Sequence, residues 1–149
     1  MIQIKKYQSE DINALVDLFD AYRVFYKMES NKMLAKNFLL ERITNKESEI
    51  FVSENESHVL IGFVQLYPIF SSTRLKRLWL LNDLFVDPPQ RGKGISKKLI
   101  QHAQQLCLES GSCGMILETA KSNMIGNQLY SSSGFDLDGE HNYYSWDVK

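Results

Sequence analysis

The stretch Arg91-Gly92-Lys93-Gly94-Ile95-Ser96 lies between an apolar run that ends at Val86 and a helical pattern with Ile95, Leu99 and Ile100 on one side. Residues of these types in this place can hold a phosphate. Amides at a helix start lack intrahelical acceptors, and the helix dipole adds partial positive charge there. Glycine allows close backbone approach and unusual dihedrals, and Arg91 and Lys93 add cations. The loop therefore reads as a pyrophosphate cradle. The competing reading is a tight strand–helix turn with its basic residues in solvent. The string is not a P-loop, which needs Gly-x4-Gly-Lys-Ser/Thr. It is not a dinucleotide fingerprint either, because the third glycine of that pattern would fall at Lys97.

The elements around the loop follow from hydrophobic periodicity. Ile2 to Tyr7 alternates as a strand. Ser9 or Asp11 can cap a helix bearing Ile12, Leu15, Val16, Phe19, Tyr22 and Tyr26, and residues 32–43 form a second helix. Strands are expected over 49–54, 59–70 and 77–86, with turns at 55–57 and 71–73. The 77–86 run is nearly all apolar, which suits a central strand covered on both faces. A helix over 94–110 ends at Gly111, and a strand over 114–119 follows. A helix over 123–133 ends at Gly134, and residues 135–137 and 143–148 read as a final strand pair. A strand–helix–strand crossover favours parallel pairing of 77–86 with 114–119. The expected architecture is α/β: one domain over 1–149, a mixed, mostly antiparallel sheet, one parallel crossover and helices on both faces.

Composition narrows the classes. The chain has 149 residues, 44% hydrophobic and 23% charged, with a net charge of −1. That length supports a core without metal or disulfides. The charge argues against a general nucleic-acid or membrane-surface binder. No apolar run approaches a membrane span, and the first residues do not read as a signal peptide. Cys107 and Cys113 are expected to be free thiols in a reducing cytoplasm. With His58, His102 and His141 scattered, no metal site is expected.

The strings LNDLFVDPPQRGKGISKKLI and, some thirty residues later, NMIGNQLYSSSGF together resemble the GCN5-related N-acetyltransferases (GNAT), whose acetyl-CoA loop reads Gln/Arg-x-x-Gly-x-Gly/Ala. Arg91-x-x-Gly94-x-Ser96 fits, with serine at the last small position. Asn123, Leu129-Tyr130 and Gly134-Phe135 match the later pattern. Element order and length agree over nearly the whole chain. YRVFY, GFVQLYPIFSS and LETAKSN look like a subgroup whose members include histone, polyamine and amino-acid acetyltransferases.

The resemblance implies acetyl-CoA as donor and a primary amine as acceptor, either a small molecule such as a polyamine or amino acid or a protein amine. Attack would be direct, within a ternary complex. It implies that amides from Arg91 through Gly92, Lys93, Gly94 and Ile95 to Ser96 take the pyrophosphate. The pantetheine arm would pair with Leu84, Phe85 and Val86, one of whose amides polarises the thioester carbonyl. Asn123 would bond the arm, and Tyr130 would protonate or steady the departing thiolate.

An amine must be neutral to attack, and an alkylammonium titrates near about 10.4, so a base is useful. Asp83 is the first candidate. A structural carboxylate is the alternative, although an aspartate in an apolar strand is costly to bury without a partner. Asn82 stands where polyamine enzymes of this family often carry a glutamate, and it can orient a water but not take a proton. Glu118 is the reserve base.

Tyr22, Arg23, Phe25 and Tyr26 would wall the acceptor site, with Tyr67 and Tyr143 able to join them. Aromatic rings suit a cation and Arg23 a carboxylate, while core packing explains the same stripe. Arg74, Lys76, Arg77, Lys97 and Lys98 could draw an anionic donor or simply be solvated. A non-catalytic acyl-CoA-binding module and a nucleotide-dependent enzyme are the alternatives in function. The apolar end at Tyr143, Tyr144 and Trp146 makes a homodimer an expectation.

Overall fold

The computed structural model describes every residue from Met1 to Lys149. It contains two compact units, Met1–Glu118 and Thr119–Lys149.

The first unit is built on a five-stranded sheet: β1 (Gln3–Lys6), β2 (Glu49–Glu54), β3 (Leu60–Ser71), β4 (Lys76–Val86) and β5 (Met115–Ile116), in that spatial order. The first three pairings are antiparallel hairpin and return contacts, and β4–β5 is parallel. Helices α1 (Ile12–Phe25) and α2 (Lys32–Thr44) lie between β1 and β2 in sequence, and α3 (Ile95–Glu109) makes the β4–β5 crossover. The expected α/β mixed sheet is therefore present.

Strand alternation divides the core. Leu15, Val16, Leu18 and Phe19 of α1 and Ala35 and Leu39 of α2 cluster with Ile50, Val52, Phe63 and Phe85. Phe51, one residue out of phase with Ile50 and Val52, turns the other way and meets His102 of α3. The sheet thus has helices on both faces. Asp20, buried on α1, accepts from Ser30 Oγ at 2.6 Å and from Asn31 N at 2.8 Å. Those bonds fix the turn between α1 and α2, and Asn31 then caps α2 through Leu34 N.

β4 carries a bulge. Gln65 pairs with Asp83 but Leu66 pairs with Leu81, so Asn82 is the extra residue. The bulge resets side-chain parity. Trp79, before it, donates from Nε1 to Ser110 beside the end of α3. Phe85, six residues later and after it, packs with Tyr22 of α1 and Phe63. Unbroken alternation would put both on one face.

Two expectations fail. The strand expected over 114–119 shrinks to Met115–Ile116, paired with Trp79 and Leu80. In the second unit, residues 119–123 lead into α4 (Met124–Ser132), but 135–137 and 143–148 form no strands. Instead, Asp138 gathers a turn, accepting from Glu140 N, His141 N and the Tyr143 hydroxyl. Leu137, Tyr143, Tyr144, Trp146 and Val148 stay 75–92% exposed. Alternation alone cannot hold two strands together unless an apolar face is buried.

Candidate active site

The candidate donor side grows from the end of β4. After Leu80 no strand pairs with β4 on its β5 side. Which peptide groups face that free edge follows from three contacts. Asp87 N bonds Ile61 O across to β3, and a Cβ placed on Gly62 would come within 2.9 Å of Phe85 O. Arg91 Nε reaches Val86 O from outside the sheet at 2.9 Å. Leu84 and Val86 therefore face the free edge, whereas Phe85 faces β3. This corrects the expectation that all three could pair with a donor arm: peptide groups of consecutive residues point to opposite edges.

Beyond β4, Pro88–Gln90 form one 3-10 turn, and Gly94 then caps α3 in the left-handed region at φ 75°. A side chain there would meet no atom within 4 Å, so glycine is required for its dihedral and not for space. No side chain caps the helix, and the first backbone bond of the turn runs from Lys98 N to Gly94 O. The amides of Ile95, Ser96 and Lys97 are left for an anion. The expected loop residues Gly92, Gly94, Ile95 and Ser96 thus lie at the uncapped start of α3. Arg91 differs. Its amide bonds Pro88 O, its Nε bonds Val86 O, and its guanidinium lies over the Phe25 and Phe85 rings. Lys93 bonds the Gln90 side chain at 2.7 Å.

The bulge builds the second cluster. Asp83 is 3% exposed and faces α1 beside Gln65. Its carboxylate accepts from Gln65 Nε2 at 2.7 Å and from Asn82 Nδ2 at 3.0 Å. Burial pushes its carboxyl above the usual carboxylate range, against the opposing pull of hydrogen bonds from Gln65, Tyr22 and Asn82. The Tyr22 hydroxyl lies 3.5 Å from Asn82 O. Burial, and then the neighbouring Asp83 charge, raises the pKa of both the Tyr22 and the Tyr67 phenols. Gln65 Nε2 also donates to the Tyr67 hydroxyl at 3.1 Å. Tyr22, Tyr67, Asn82 and Asp83, far apart in sequence, are therefore brought together.

Gln65 was not anticipated. It is wholly buried, and it is the one amide in the apolar run of β3, a signal that was available in the sequence. Tyr26 packs edge-on to Tyr22 at 5.0 Å and is exposed. Arg23 is occupied: it donates to Glu29 O and lies 4.0 Å from Asp20, so it braces the turn after α1. Glu118 is exposed and lies two residues past β5. Arg77 rests over the rings of Trp79 and Phe70.

In the second unit, Tyr130 is held by the end of α4. Phe135 N bonds Tyr130 O, Gly134 N bonds Ser131 O, and Gly134 has φ 88°. This is the Schellman arrangement, and its usual apolar contact is the Tyr130–Phe135 ring pair, 5.9 Å between centroids. The spacing of Tyr130, Gly134 and Phe135 is thus a device that fixes the tyrosine. Asn123 caps α4, accepting from Gly126 N and donating to Thr119 Oγ1, both at 3.0 Å. Tyr143 donates to Asp138 at 2.9 Å.

Comparison with known proteins agrees with this geometry. The model of the acetyltransferase (GNAT) family matches residues 13–135. The chain is 37% identical to the uncharacterized N-acetyltransferase YhfO of Bacillus subtilis (strain 168), over 99% of this chain and 98% of that protein. It is 32% identical to a probable acetyltransferase of Haemophilus influenzae, over 91% of each. The crystal structure of a probable acetyltransferase, 36% identical, superposes with a TM-score of 0.94 over 99% of this chain and 98% of that one. The free edge of β4, the open start of α3 and these relatives converge: the chain belongs to the acetyltransferase (GNAT) family, enzymes that move an acetyl group from acetyl-CoA to an amine.

Proposed function

We propose that residues 1–149 act as one acetyltransferase domain, with Asp83 as the base and Tyr130 as the acid in acetyl transfer to a primary amine. The observation that carries this reading is the bulge at Asn82, which turns a buried carboxylate toward α1 on the strand whose other edge is free. Acetyl-CoA, the co-substrate, supplies a thioester open to attack by a neutral nitrogen.

The chain's own groups have three tasks. Leu84 and the Val86 amide offer a peptide edge to the donor arm, and one of these amides faces the thioester oxygen as charge develops there. Asp83, held ready by Gln65 and Asn82, takes the ammonium proton through a hydroxyl or water on the Tyr22–Asn82 side. Its raised pKa makes it a stronger base than an ordinary carboxylate. The nitrogen then bonds the carbonyl carbon, the carbon–sulfur bond breaks, the sulfur takes a proton from Tyr130, and the second proton that the nitrogen sheds on becoming an amide restores the phenol. Asn123 supports the donor arm from the cap of α4.

The aromatic wall of Tyr22, Tyr26 and Tyr67 suits an amine presented as a cation before it loses its proton. With Asn82 supplying no second carboxylate beside Asp83, and Arg23 committed to its own turn, the wall favours an acceptor with a single amine over a polyamine or a free amino acid. The reading includes action in the cytoplasm and a homodimer through the apolar residues of 137–148, for which gel filtration giving twice the 17.3 kDa chain mass is the check.

Acetyl-CoA-dependent thiol release over a panel of monoamines, polyamines, amino acids, aminoglycosides and basic peptides tests the function. Turnover that favours monoamines supports the reading. Acetyl-CoA binding with no turnover on any amine opposes it.

A further inference from the structure

We infer that the Arg91 side chain is a positioning residue that ties the donor loop to the end of α1, and not a ligand of the donor's phosphates; the inference rests on the acetyl-transfer reading above. Three contacts support it. The Arg91 amide closes onto Pro88 O at 3.2 Å and its Nε onto Val86 O at 2.9 Å, so the residue is bound to the turn and to β4. Its guanidinium carbon lies 5.4 Å from the centroids of both Phe25, in the last turn of α1, and Phe85 on β4. A planar, delocalised cation can stack on rings while it donates, which an ammonium cannot do.

The surroundings make this tie matter. An open groove of about 420 Å³ runs beside it, lined in part by Val24, Phe25, Phe85, Pro88 and Arg91, with Asp17, Asp20 and Lys32 also on its wall. Phe25 is 60% exposed. Beyond the Tyr22–Phe85 contact, the last turn of α1 leaves an opening at the end of β4, and Arg91 spans it. Tyr22 and Tyr26 belong to the same last turns of α1 and touch each other. Tyr22 is also held by Phe63 and Phe85, so holding Phe25 acts mainly on the last turn that carries Tyr26 and adds a second link between the donor loop and the acceptor wall.

The test uses Arg91→Lys, Phe25→Ala and the double variant. Acetyl-CoA affinity is read by calorimetry, the KM for the best amine by thiol release, and stability by urea midpoints. Loss of the ring–cation contact, which both single variants share, is expected to raise the amine KM about twofold to fivefold. The acetyl-CoA Kd should change less than about twofold, and the double variant should be no worse than the weaker single, in both KM and urea midpoint. Acetyl-CoA affinity that falls tenfold in Arg91→Lys while Phe25→Ala is silent would overturn the inference and make Arg91 a phosphate ligand. Additive urea midpoints would overturn it too. Because midpoints need no turnover, they decide the tie even if no amine on the panel reacts, an outcome that counts against the acetyl-transfer reading alone.

Discussion

The proposed donor side and the proposed base cluster are assembled in opposite ways. The donor side uses consecutive residues: β4's last peptides, one turn, Gly94 and the start of α3 all fall within Leu84 to Lys97. The base cluster draws Tyr22 from α1, Gln65 and Tyr67 from β3, and Asn82 and Asp83 from β4. A local site depends on backbone dihedrals and helix ends. A dispersed one depends on strand register, and here on a single extra residue. The first should fail through backbone strain and the second through loss of one polar partner.

The largest effect is expected outside both regions. Tyr130→Phe keeps the ring against Phe135 and removes only the hydroxyl. A missing general acid lowers kcat by about 10²-fold or more, with acetyl-CoA affinity unchanged. Steady-state kinetics beside calorimetry separates the two quantities. A full kcat in this variant would remove Tyr130 from the chemistry.

Next comes Asp83→Asn, which sharpens the contrast by altering the dispersed cluster alone. A base loss of about 10²-fold in kcat is expected. Stability should move the other way. Burial raises this carboxyl above its ordinary value near about 3.9, so the protonated form is favoured in the fold. That contribution is complete below the ordinary value and is lost as pH rises through the raised one. Wild-type stability therefore falls across that interval, and the asparagine variant's does not. Urea midpoints against pH check the sign.

Gly94→Ala tests the local region. At φ 75° a Cβ costs about 1–2 kcal/mol although nothing blocks it. Stability should drop by that amount and the acetyl-CoA Kd should rise, with Asp83's pH dependence untouched. Lys93→Ala should do least. Its amine is held by Gln90 on the surface, and a change within about twofold in acetyl-CoA Kd is expected for one screened exposed charge.

The same contrast explains what could be read from the sequence. Gly94 before an amphipathic run, or Gly134-Phe135 after Tyr130, states its geometry within a few residues. Helix ends obey local rules, so both were legible. Register is a relation between strands. Nothing within 76–86 says that Asn82 is supernumerary, and without the bulge the side to which Asp83 points is undefined. Gln65 became meaningful only when pairing placed it opposite Asp83. Arg91 reads in the sequence as a cation for phosphate because its charge is visible there, whereas its partners Val86 O and Phe25 are matters of folding. The expected final strands had the alternation of a hairpin and no buried face to reward it.

The pH dependence of kcat/KM, measured by thiol release on the best amine for wild type and Asp83→Asn, bears most directly on the assignment of base and strand. An acid limb set by a carboxyl titrating above the usual carboxylate range in wild type, and absent in the variant, is the predicted result. Superimposable profiles at equal or merely scaled rates would show that the carboxylate at the bulge does not take the amine's proton.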